Sequence, residues 1–155
     1  MSKPDSTCDV YRSAIDRVLS DVRCELGAGA VLVIDSEDAH LPPEVLAHDP
    51  WLLSEITSPG RSPTIYVGVP DEGWTGVGRA EWPSLEDATV AIADAVQEVL
   101  VESRAHWAVA FPACPAHPGT PLWPKMHDGT AVWTCVDGAA IAIPIGSLGA
   151  EARTS

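Results

Sequence analysis

Residues 111–144 read FPACPAHPGTPLWPKMHDGTAVWTCVDGAAIAIP. They hold Cys114 and Cys135, His117 and His127, and Trp123 and Trp133. Cys114-Pro115-Ala116-His117 puts two ligand types three residues apart in a proline-containing turn, which lets both reach one tetrahedral ion. This is half of a zinc ribbon, and a second half is expected roughly 15–20 residues later. Cys135 falls in that window, after the β-rich run Thr130-Ala131-Val132-Trp133-Thr134. Its own partner does not follow, because the residue three beyond it is Gly138. The stretch therefore predicts a Cys/His β-hairpin module with Cys114, His117 and Cys135 as zinc ligands. His127, in the loop Lys125–Gly129, is the expected fourth ligand, with Asp137 and Asp128 as carboxylate alternatives.

Two other readings of the same residues exist. In the plain one, Cys114 and Cys135 are buried thiols on neighbouring strands, since free Cys packs as a small apolar group. In the catalytic one, Cys114 is a nucleophile and His117 its base. Nothing beside them in the sequence supplies an oxyanion donor or an orienting carboxylate.

The order Phe111-Pro112-Ala113-Cys114-Pro115-Ala116-His117-Pro118, Pro121-Leu122, Val132-Trp133-Thr134-Cys135 and Ile145-Gly146-Ser147-Leu148 resembles the tail of small actinobacterial proteins of unknown function. In that group a W-P-x-C-P-x-H…P-L…W-x-C-P…I-G-x-L pattern follows a long helix. The chain departs from it with Phe111 in place of Trp and Val136 in place of Pro. The resemblance covers about a third of the chain. It implies a shared structural module and a high-GC bacterial source, and it carries no activity.

Upstream, Tyr11, Ile15, Val18, Leu19, Val22 and Leu26 recur at helical spacing, with Asp16, Arg17, Asp21 and Arg23 assigned to the other faces. Gly27 and Gly29 end this helix. Cys8 and Cys24 lie on it about 24 Å apart, so they share no site and read as structural. Ala30–Asp35 reads as a buried strand. Asp35, Glu37, Asp38 and His40 at its end are a second candidate cluster for a metal or a substrate amine. Residues 42–57 read as short helical pieces around Pro50, and Thr64–Val69 as a strand. Gly73–Gly78 contains G-x-G without the third glycine or the helix of a dinucleotide site. With Trp74 and Trp82 nearby, it is expected to be an irregular strand or a recognition loop.

Ser84, with Asp87 three residues on, caps the longest predicted helix. Its buried stripe is Ala88, Ile92, Val96, Val99 and Leu100, and it runs to about Ser103. Trp107–Phe111 is then a short strand or apolar link. Asp137-Gly138, between the runs Thr130–Cys135 and Ala139–Ile143, is a hairpin cue. The fold class is thus α/β or α+β, a small sheet flanked by two long helices. One domain spans 5–149, comprising a core over 5–110 and the module over 111–148, with a disordered tail at 150–155.

Composition narrows the partners. The chain has 155 residues, 46% apolar and 20% charged, which are globular values. Its net charge is −13. At that charge, electrostatics exclude nucleic acid and anionic membranes as partners and suit either a solubilising surface or a basic protein partner. No Lys or Arg occurs between Arg23 and Arg61, or between Arg79 and Arg104. The N-terminus lacks an apolar signal segment and no run is long enough to span a membrane, so the cytoplasm is expected. There thiols stay reduced, which favours metal ligation over disulfides. The functional expectation is an acidic binding or adaptor protein with a structural zinc. The alternatives are a small zinc enzyme with an open metal position, and an acidic inhibitor or immunity protein for a basic partner.

Overall fold

Tyr11, Ala14, Val18 and Val22 recur at steps of three and four, and all four are buried on one face of helix α1 (Ser6–Leu26). The computed structural model describes residues 6–36, 49–60, 62–78, 84–138 and 140–152, with side chains from Val10 onward and up to Ala150. Over these residues the chain is α+β, with two antiparallel three-stranded sheets.

In the first sheet, β1 (Leu32–Asp35) and β3 (Gly73–Gly78) flank β2 (Thr64–Val69). β1 and β2 run antiparallel, in the register Leu32↔Gly68 to Asp35↔Ile65. β2 is buried along nearly its whole length because both its faces are covered. Ile65, Val67 and Val69 point into the main core. Tyr66 points the other way, onto Leu52 of the short helix α2 (Pro50–Thr57). Asp49 accepts from Leu52 N at 3.0 Å, capping α2, and from Trp74 Nε1 at 2.6 Å. That bond and the Gly68↔Trp74 pairing hold 73–78 as a regular strand rather than an irregular one or a loop.

Helix α3 (Leu85–Glu102) begins at Ser84, whose Oγ accepts from Asp87 N at 3.2 Å. Nine of its residues are buried, including all five of the expected stripe. It is this heavily buried because it lies against α1, the first sheet and the second sheet at once. Its free surface shrinks to Asp94, Glu98, Val101 and Glu102.

The second sheet contains β4 (Trp123–His127), β5 (Thr130–Thr134) and β6 (Ala142–Pro144), in that order. The tight hairpin is β4–β5, closed by Asp128-Gly129 with φ of +49° and +78°. Two positive φ values define the turn whose twist matches paired strands. The other Asp-Gly, at 137–138, lies in the longer connection from β5 to β6. Pro124 sits within β4, which is tolerated because β4 is an edge strand. Trp107–Phe111 is not a strand; Ala108 takes φ of +66° there. Leu148–Ala152 is a short helix, α4, where the sequence suggested a tail from residue 150; residues 153–155 lie outside the described residues.

Candidate metal centre

Two consecutive turns build the first half of the site. His117 N–H donates to Cys114 O at 3.3 Å, with Pro115 as the second residue of that turn. Thr120 N–H then donates to His117 O at 3.0 Å, with Pro118 second and Gly119 third at φ of +84°. Proline followed by a residue of positive φ is the type II pattern, and glycine adopts it without steric cost. Cys114 N–H closes the loop on Thr120 O at 2.9 Å. Cys114 and His117 are thereby fixed on one side of a small knuckle. Cys135 arrives from the end of β5, because Thr134 pairs with Trp123 directly after the knuckle.

The three side chains converge. His117 Nδ1 lies 3.5 Å from Cys114 Sγ and 3.2 Å from Cys135 Sγ. All three ligand atoms lie within 4.8 Å of one another. Zinc bonds of about 2.3 Å to sulfur and 2.05 Å to nitrogen, at the tetrahedral angle, put S and N about 3.5 Å apart. The donor set therefore fits a metal ion by chemistry and by spacing. Cys114 is buried, while His117 and Cys135 are half-buried. Cys24, Cys114 and Cys135 form no disulfide.

His127 does not join this group. It pairs with Thr130 at the turn end of the hairpin, whereas Cys135 lies beyond the open end. Four strand residues separate the two ends, roughly 13 Å. His127 is exposed, with Nε2 3.4 Å from Asp128 Oδ2. Asp128 and Asp137 are also exposed and outside the cluster. Among the described residues the metal-ligating group numbers three. Of the second candidate cluster, Asp35 ends β1 and the others, Glu37, Asp38 and His40, lie outside the described residues, as does Trp82.

Comparisons with protein-family models, with curated proteins and with solved structures return no match to this chain. What the site can do rests on its own chemistry. The catalytic-thiol arrangement gains little support from the geometry, because His117 Nε2 has no hydrogen-bond partner among the described residues to orient the ring.

Two buried polar residues support the module and were not singled out in the sequence. Asp21, assigned to the outer side of α1, is instead 0% exposed. Its Oδ2 accepts from Trp133 Nε1 at 2.8 Å and Gly146 N at 2.7 Å, and its Oδ1 from Leu148 N at 3.1 Å. Burial pushes its carboxyl above the usual range, against the lowering effect of these three donors. Position 21 lies on the same three-four series as Tyr11, Ala14 and Val18, which is the signal that could have placed it inside. Gln97, at 6% exposed, donates from Nε2 to Phe111 O at 2.9 Å and Leu122 O at 2.5 Å. It thereby ties α3 to both sides of the knuckle. Thr89, Ala93 and Gln97 form a buried row beside the apolar stripe.

A further tie runs through charge. Arg17 Nη1 lies 2.8 Å from Glu86 Oε1, and Glu86 Oε2 accepts from Ala131 N at 2.7 Å. Burial alone would raise the Glu86 carboxyl. The Ala131 bond and the Arg17 guanidinium together outweigh it and hold the group below its ordinary value.

Proposed function

We propose that the protein is a non-enzymatic binding protein whose C-terminal module is held closed by one zinc ion on Cys114, His117 and Cys135. The observation that supports this is the placement of one imidazole nitrogen 3.2 and 3.5 Å from two thiols. Cys and His together suit zinc among the common cellular cations. The ion would join the knuckle to the end of β5, where the described residues 135–138 and 140–141 leading to β6 form no helix or strand. A reducing cytoplasm, which keeps both thiols available, is the compartment this reading implies. The net charge of −13 suits a basic protein partner.

Elemental analysis of the purified protein tests the zinc. One zinc per chain is expected, falling to near zero in Cys114→Ser and Cys135→Ser and unchanged in His127→Ala. Metal-free protein from carefully handled preparations, or retention of zinc in both cysteine variants, would sink the reading.

A second reading has one observation in its favour. Three protein ligands with a fourth position left to water is the catalytic zinc pattern, and the described residues supply three. Cobalt(II)-substituted protein separates the two. A visible spectrum indifferent to added small anions and thiols marks a closed structural site, whereas one that shifts with them marks an open, catalytic position.

A further inference from the structure

The exposed strip of α3 does not face open solvent alone. It forms one wall of a groove of about 660 Å³, whose other wall is the chain from His106 to Phe111 and whose end is Gly119, Pro121 and Trp123 of the knuckle. The lining is apolar in an unusual way, because much of it is uncovered. Trp107 is 78% exposed, Val101 70%, Val109 50% and Trp123 44%. Four large apolar side chains gathered on one groove mark an interaction surface rather than scattered exposure.

The rim carries the opposite chemistry. Asp94, Glu98 and Glu102 follow one another at single-turn steps along the same wall. Like charges so spaced repel each other. None of the three has an ion-pair partner among the described residues, and no Lys or Arg lines the groove. A third observation lies in the wall itself. Gln97 lines the groove, and its buried Oε1 has no hydrogen-bond partner. The amide cannot be turned round to cure this, since Nε2 serves two carbonyl oxygens. Buried acceptors without a partner are uncommon in folded proteins.

We propose that this groove is the docking site for a basic amphipathic segment of a protein partner. Its apolar side chains lie between Val101, Trp107 and Trp123. Its Lys or Arg side chains lie along Asp94, Glu98 and Glu102. The carboxylates span two helical turns, about 12 Å, which matches cations at four-residue steps on a helical partner. Phosphate-bearing partners are disfavoured by the same row of carboxylates. The proposal rests on the binding-protein reading and not on the metal, although the knuckle that holds the metal also ends the groove.

The test uses the full-length, metal-replete chain and a fluorescent 18-residue helical peptide with Leu on one face and Lys on the other. A scrambled peptide and a Leu/Glu analogue are the controls. Anisotropy is expected to show binding of the Leu/Lys peptide only, weakening with salt. Trp107→Ala should weaken it about tenfold or more, as removal of an aromatic anchor does. Glu98→Gln with Glu102→Gln should flatten its salt dependence. Both sites are exposed, so the variants are expected to fold, with circular dichroism and zinc content as checks. Binding untouched by Trp107→Ala, or equal binding of the scrambled or acidic peptide, overturns the proposal. Concentration-dependent self-association abolished by Trp107→Ala also overturns it, by assigning the groove to a second copy of the chain. Binding of the Leu/Lys peptide by wild-type protein that elemental analysis shows to be metal-free would leave the groove standing while the zinc reading fails.

Discussion

Asp21 is a carboxyl side chain with no exposed surface and, among the described residues, no cation paired with it. Three N–H donors, one from Trp133 on β5 and two from the turn after β6, take the place of water around it. Removing the acceptor strands those donors, each at a cost of the order of 1 kcal/mol or more. Asp21→Ala is therefore expected to lower stability by about 3 kcal/mol in urea unfolding, with loss of the near-ultraviolet signal of buried Trp133. The same residue sets a pH dependence. Because burial raises its folded-state pKa above the unfolded value near 3.8, the folded chain takes up this proton first. Its contribution is fullest below the unfolded value and is lost as pH rises through the folded one. Wild type should thus gain stability relative to Asp21→Asn as pH falls from 7 toward 4; a relative gain by the variant over that range would falsify this. Glu86 titrates the other way, yet it is present in both proteins and cancels. The sequence contained Asp21's position on the buried series but not the indole and backbone donors, over a hundred residues away, that make a carboxylate tolerable there.

At the level of elements, the second sheet shows what spacing can and cannot reveal. Alternation and β-branched residues marked Thr130–Thr134, and the knuckle and Cys135 were legible from ligand spacing alone. β4 was not, because Pro124 and the Trp-Pro-Lys-Met-His composition disguise a strand that pairs on one side only. With β4 unread, His127 looked like a loop residue free to reach the metal, and the hairpin cue was placed at Asp137-Gly138. The pairing His127↔Thr130 settles the turn at Asp128-Gly129 and carries His127 away from the cluster. Gly129 at φ of +78° lies where a Cβ costs about 1–2 kcal/mol. Gly129→Ala is expected to lower stability by that amount in chemical unfolding, whereas Gly138→Ala, in the longer connection, should leave the β4–β5 amide-exchange protection unchanged. Loss of that protection in the second variant, with the first silent, would place the turn wrongly.

At the scale of the molecule, the first helix and the last forty residues are bound into one unit. Phe111, Leu122, Ala131, Trp133 and Ile145 of the module share a core with Tyr11, Val18 and Val22 of α1 and the stripe of α3. The polar ties run the same way, from Asp21 to Trp133, from Arg17 through Glu86 to Ala131, and from Gln97 to both sides of the knuckle. A zinc ion on Cys114, His117 and Cys135 would consequently act on all of it. At a free-metal level a thousandfold above its dissociation constant, binding stabilises the folded state by about 4 kcal/mol. If the module were a separate appendage, stripping the metal would melt the module alone and leave the helices standing. The shared core argues for the opposite. Chelation is expected to shift a single unfolding transition to lower denaturant, with near-ultraviolet circular dichroism from Trp133 and far-ultraviolet signal from α1 and α3 remaining coincident. Two transitions that separate on chelation would instead divide the chain between residues 110 and 111, where the sequence alone placed the seam between core and module.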